Sequence, residues 1–146
     1  MNDHRNAQPL VLVIDDDPQT LREVATALGA ANLTCRCCRS PREAIDAAAE
    51  ASPALIVCDV HLDGESGLET CQRIRQQPGL QRVPVMFLSG AQLPDIIRRS
   101  HAVGGTYYLR KPFDPGVLVE LVDKALWMPQ LAEDRARQRQ TTAGAC

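Results

Sequence analysis

Five short apolar runs, each followed by a stretch with helical spacing, constrain this chain more than any other feature. They are Leu10 to Ile14, Leu33 to Cys37, Ala54 to Cys58, Val85 to Leu88 and Thr106 to Leu109. The first, third and fourth are apolar throughout, as expected of strands covered on both faces in a parallel sheet. The second and fifth mix in polar residues, which suits edge positions. Between the runs, Leu21, Val24, Ala25 and Leu28 follow the spacing of one helix face, and Leu118, Leu121, Val122 and Ala125 repeat it. Helix starts are marked by Asp17-Pro18, by Ser40-Pro41 with Glu43, by Ser66 with Glu69, and by Asp114-Pro115. Each supplies an N-cap oxygen, and three place proline where its missing N–H costs nothing. Strand and helix alternate five times, so the expected fold class is α/β, a doubly wound parallel sheet of (βα)5 order. Such sheets bind ligands at the C-terminal ends of the strands, beside the first strand.

The 146 residues suffice for one domain with a proper core. We read 1–9 as a flexible N-terminus, 10–128 as the domain and 129–146 as a polar tail or linker. Aromatic residues make up only 3%, so the core must be built from Val, Leu, Ile and Ala. A net charge of −2 gives no electrostatic case for nucleic acid or an anionic membrane as direct partner. The Arg135, Arg137 and Arg139 series in the tail reads as a solvated stretch rather than a nucleic-acid arm. Cys35, Cys37 and Cys38 crowd one segment, with Cys58, Cys71 and Cys146 elsewhere. No signal-peptide pattern precedes Leu10, and the first run is too short to span a membrane. A zinc site would need a second ligand pair that the Cys-x-Cys-Cys cluster lacks. The expectation is a cytoplasmic chain with buried, reduced thiols.

The chemistry concentrates at the strand ends. Asp15, Asp16 and Asp17 follow the first run, and Asp59 closes the third. Neighbouring strands would bring Asp15, Asp16 and Asp59 together, and bare carboxylates that close repel unless a cation intervenes. Oxygen ligands with room for water suit Mg²⁺ better than zinc or a calcium cage. Asp17, backed by Pro18, reads as a helix cap. Asp59 is the natural nucleophile, able to take a phosphoryl group as an acyl phosphate. Ser89 after the fourth run offers a hydroxyl, Gly90 leaves room beside it, and Lys111 after the fifth offers an ammonium to pair with Asp59 or its phosphate.

These motifs resemble the receiver domains of two-component response regulators, the CheY-like superfamily, from about Leu10 to Leu126. Leu-Val-Leu-Val-Ile-Asp-Asp-Asp-Pro resembles the family's first strand and acidic pair. Leu-Ile-Val-Cys-Asp-Val-His-Leu-Asp-Gly-Glu-Ser-Gly resembles its phosphoacceptor segment, with Gly67 at the glycine position. Pro-Val-Met-Phe-Leu-Ser-Gly and Tyr-Leu-Arg-Lys-Pro-Phe resemble its switch and lysine segments. The resemblance implies a flavodoxin-like sheet of strand order 2-1-3-4-5 and a cis Lys111-Pro112 bond. It implies Asp59 as phosphoacceptor, Ser89 and Tyr108 as switch residues, and Lys111 as catalytic lysine. The implied Mg²⁺ ligands are Asp15, Asp16, Asp59 and the His61 backbone carbonyl.

A histidine kinase or phosphotransfer protein would donate the phosphoryl group. The α4-β5-α5 face (fourth helix, fifth strand and fifth helix) would meet a downstream protein or a second copy. On it Leu93, Ile96 and Ile97 would pack inward, leaving Arg98, Arg99 and His101 near solvent. The implied activity is signalling, not enzymatic turnover. Where the family usually has proline, four residues after the acceptor, this chain has Asp63 before Gly64. That loop, together with His61, Asp63, Gly90 and Ala91, is where the phosphoryl lifetime would be tuned. The His61 imidazole is either a solvated loop side chain or a group steering water at the phosphate. Two alternatives stand beside this reading: a receiver-like module that binds without phosphorylation, and a phosphatase of the haloacid dehalogenase type. The second expects a threonine four residues after the first aspartate, but Thr20 is five away.

Overall fold

A computed structural model describes residues 8–90 and 107–126. Its elements are β1 (Leu10–Ile14), α1 (Pro18–Ala30), β2 (Thr34–Cys38), α2 (Pro41–Ala51), β3 (Leu55–Asp59), β4 (His61–Leu62), β5 (Glu65–Ser66), α3 (Gly67–Arg75), β6 (Val85–Ser89) and β7 (Tyr107–Arg110). Residues 115–126 form a further helix, called here the C-terminal helix. Ala91, Leu93, Ile96, Ile97, Arg98, Arg99, His101 and the tail from Trp127 lie outside the described residues.

Five strands form one parallel sheet in the order β2-β1-β3-β6-β7. This is the expected 2-1-3-4-5 arrangement with its long strands renumbered, because a small hairpin intervenes. That hairpin, β4 paired antiparallel with β5, was not foreseen. Asp63 and Gly64 form its tip, and Gly64 has φ +80, a conformation glycine adopts at no steric cost. The stretch expected as a loop is therefore a paired turn.

Burial follows the strand chemistry. β3 and β6 are buried along their whole length and β1 nearly so, whereas the edges β2 and β7 are mostly not. Alternating side chains split the core in two. Leu12, Ile14, Ile56, Cys58 and Phe87 pack against α2 and α3, while Val11, Val13, Val57, Met86 and Leu88 pack against α1 and the C-terminal helix. In α1 the inward residues are Leu21, Val24, Ala27 and Leu28. Ala25, expected on that face, is only half-buried.

The thiols divide the same way. Cys38, Cys58 and Cys71 are buried as expected, but Cys35 is half-buried and Cys37 exposed, because both lie on the less covered edge strand. The five are free thiols.

The caps form as their residue types predict. Asp17 accepts the Gln19 amide at 3.0 Å, Ser66 that of Glu69 at 3.4 Å, and Asp114 that of Gly116 at 2.7 Å. At α2, Ser40 accepts the Glu43 amide and Glu43 reaches back to the Arg39 amide, 3.2 and 3.1 Å. Ser40→Ala is expected to cost about 1 kcal/mol, read as a lower urea midpoint at unchanged slope. An unchanged midpoint would show that this cap adds nothing to the fold.

Candidate functional site

Parallel pairing brings the C-terminal ends of β1, β3, β6 and β7 to one rim of the sheet. Asp15 follows β1, and its amide donates to the Cys38 carbonyl at 3.1 Å, which continues the β1–β2 ladder by one residue. Asp59 ends β3 and Ser89 ends β6. Lys111 follows β7, with its amide donating to the Ser89 carbonyl at 2.8 Å. The Lys111-Pro112 bond is cis, as the resemblance implied.

Asp15 is fully buried, Asp59 nearly so, and Asp16 half-buried. Ligand oxygens of all three lie within 4.8 Å of one another. The Lys111 ammonium donates to Asp15 Oδ2 and Asp59 Oδ2, both at 2.8 Å. Backbone amides hold the other oxygens. Asp17 N–H donates to Asp15 Oδ1 at 2.9 Å, His61 N–H to Asp59 Oδ1 at 3.0 Å, and Asp63 N–H to Asp16 Oδ2 at 3.1 Å. The last bond was missed in the sequence. Asp63 stood out for its charge, but its backbone is what reaches the site, through the hairpin turn.

Burial pushes the Asp15 carboxyl above its usual range, with the Asp59 charge adding to it and the Lys111 and Asp17 hydrogen bonds pulling back. For Lys111, burial would favour the neutral amine, but the hydrogen bonds and charges of Asp15 and Asp59 outweigh it and raise the pKa. The ammonium is thus charged at neutral pH. Asp17 stands apart: hydrogen bonds from Gln19 N–H and the Thr20 hydroxyl hold its carboxyl low, as befits a cap.

With all three acids ionised, one lysine leaves two negative charges uncompensated. Two unit charges about 4 Å apart repel by about 4 kcal/mol at an effective dielectric near 20, so the cluster favours a further cation. The donors are all oxygen and only three side chains contribute, which fits a small hard divalent ion that keeps several waters. Asp16 also lines an adjoining hollow of about 540 Å³ with His61, Asp63 and Ser66. The His61 side chain is exposed there.

The two switch candidates sit where the strands place them. Ser89 is buried at the end of β6, followed by exposed Gly90. Tyr108 is half-buried on β7, its ring centroid 6.0 Å from that of Phe87 in a tilted stack. Burial raises its phenol pKa. Gly67 acquires a physical reason that the sequence did not reveal. A Cβ there would overlap the Asp59 carbonyl oxygen and press on Cys58 Sγ at 3.0 Å. Its amide donates to the Val60 carbonyl at 2.8 Å, locking α3 beneath the acidic cluster.

The family model described as the response regulator receiver domain matches residues 11–123. The protein RcaC of Microchaete diplosiphon is 34% identical over 116 residues, covering 80% of this chain and 17% of that protein. The DNA-binding transcriptional regulator NtrC of Escherichia coli is 30% identical over 117 residues, 80% of this chain and 24% of that one. The chain thus spans less than a quarter of the length of either relative. Among solved structures, the chemotaxis protein CheY4 of Vibrio cholerae superposes with a TM-score of 0.78 at 28% identity, covering 82% of this chain and 99% of that one. Among the described residues, no helix is long and apolar enough to cross a membrane. Together with the strand order and the rim of acids and lysine, these findings establish that the chain belongs to the response regulator receiver domain family of two-component systems.

Proposed function

We propose that this domain takes a phosphoryl group onto Asp59 from a histidine kinase or phosphotransfer protein and passes the signal on by a change of surface. The observation that carries the reading is the convergence of three carboxylates and the Lys111 ammonium at one sheet rim. Asp15, Asp16, Asp59 and the His61 backbone carbonyl would hold Mg²⁺. That ion supplies charge neutralisation for the incoming phosphate. The Asp59 carboxylate attacks the phosphorus in line and the donor's leaving group departs, giving an acyl phosphate. Lys111 is placed to stabilise charge on the phosphoryl oxygens, and Ser89 hydrogen-bonds one of them once the group is attached. Tyr108 follows inward behind Ser89, biasing the surface that β7 and the C-terminal helix present toward a downstream protein or a second copy. In this reading the domain, 10–128, works in the cytoplasm and catalyses only its own phosphorylation and dephosphorylation. It makes no direct contact with nucleic acid or membrane.

The test is to incubate the chain with Mg²⁺ and a small phosphodonor such as acetyl phosphate and follow the intact mass. One phosphoryl group per chain is expected, and none when a chelator removes the divalent ion. Equal uptake with and without chelator would overturn the metal assignment, and no uptake from acetyl phosphate or a kinase would overturn the phosphoacceptor reading. Lys111→Ala is expected to slow uptake about 100-fold, the effect of deleting one preorganised donor to a developing anion. An unchanged rate would remove Lys111 from the chemistry.

Residues beside the acceptor tune the lifetime: His61 and Asp63 on the hairpin, Gly90 and Ala91 after β6. For His61→Ala a shift in the dephosphorylation rate is expected, measured as loss of the mass increment over time. Equal lifetimes would leave the imidazole a solvated side chain.

A further inference from the structure

The cysteines of β2 take no part in the chemistry proposed above. Residues two apart on a strand point to the same face. The register sets Cys35 opposite Val11 and Cys37 opposite Val13. Both valines belong to the core on the α1 side, and Cys35 packs against that cluster. Arg36 points the other way, to pair with Glu50 of α2 at 3.1 Å. Cys35 and Cys37 therefore share one face of an edge strand. Cys37 is exposed and Cys35 half-buried, so the pair is open to solvent on one side.

Two accessible thiols two positions apart on one face of a strand are a ligand set for soft cations. Thiolates select Cu(I) among common ions, and two sulfurs satisfy it, whereas structural zinc takes four ligands. Among the described residues the only group of three or more potential ligands is Asp15, Asp16 and Asp59 at the sheet rim, so nothing there completes a zinc tetrahedron around the two sulfurs. We infer that Cys35 and Cys37 form a two-coordinate site for Cu(I) on the outer strand of the sheet. On binding, two S–H bonds break, two S–Cu bonds form and two protons pass to solvent, with no change of oxidation state. Partial burial first, then the neighbouring Cys35, holds the Cys37 thiol up at about 11. Cys37 is consequently protonated at neutral pH until a cation displaces its proton.

The test uses the full reduced chain without oxygen, titrated with Cu(I) buffered by bathocuproine disulfonate. One ion per chain is expected to leave the chelator, with two sulfurs around it by X-ray absorption. Cys37→Ser, an exposed and conservative change, is expected to abolish that uptake with the circular dichroism unaltered. Cys35→Ser is expected to do the same, and Cys146→Ser to leave it intact. Uptake retained in Cys37→Ser, uptake lost in Cys146→Ser, or no competition with the chelator at all would overturn the site. Phosphoryl uptake on Asp59 is measured separately, so failure of either reading leaves the other standing.

Discussion

A protein carrying Asp59→Asn is expected to fold normally and to gain no phosphoryl mass under conditions that fully modify the wild type. Asparagine keeps the shape of the side chain, so β3 and the strands pairing with it are undisturbed. What changes is charge and donor count. In the native site Oδ1 accepts from His61 N–H and Oδ2 from the Lys111 ammonium. An amide has one acceptor oxygen, so whichever of the two it faces, its NH₂ confronts the other donor. That loss is offset because one carboxylate leaves a crowded acidic cluster, relieving the Asp59 charge that helps raise the Asp15 pKa. The net change in stability is expected to stay within about 1 kcal/mol, while uptake falls to nothing because an amide cannot attack the donor at neutral pH. Intact mass after acetyl phosphate and a urea titration check the two halves separately. Phosphoryl mass persisting in the variant would show that another residue is the acceptor.

The largest loss of stability is expected from Gly67→Ala. The added methyl meets the Asp59 carbonyl oxygen, which is part of the β3 backbone and cannot turn aside as a flexible side chain would. Relief requires α3 to lift away from β3, straining the 2.8 Å bond from Gly67 N–H to the Val60 carbonyl. Overpacking of this kind costs about 3 kcal/mol, at the upper end of the usual range. For a domain of this size that lowers Tm by about 10 °C. Gly29→Ala in α1 is the internal comparison. Nothing lies within 4 Å of a Cβ there, so replacing a helical glycine should stabilise by about 0.5–1 kcal/mol. Equal stability of the two variants in thermal melts would show that the tight packing beneath Asp59 is not real.

Much of the fold is legible in the sequence, for identifiable reasons. β1, β3 and β6 are apolar in succession because both faces of a parallel sheet are covered, and that pattern survives in one dimension. Caps are local, so Asp17, Ser40, Ser66 and Asp114 could be placed from residue type and spacing. Asp15, Asp59, Ser89 and Lys111 could be gathered because each stands at a strand end, and parallel strands end together.

Other features depend on distance in space between residues far apart in the chain. The Asp63 amide reaches Asp16 across 47 positions, through a hairpin whose pairing is invisible in a stretch as short as His61 to Ser66. The closeness of Gly67 to Asp59 follows from how α3 docks under β3, and no periodicity encodes that. The exposure of Cys37 depends on β2 lying at the sheet edge and on how little covers it there, which sequence hydrophobicity understates for cysteine. What the chain alone determined was the kind of fold and which residues stand at its rim. The tertiary structure decided which oxygen each backbone amide holds, and where a single methyl group has no room, because both depend on the packing of separate elements.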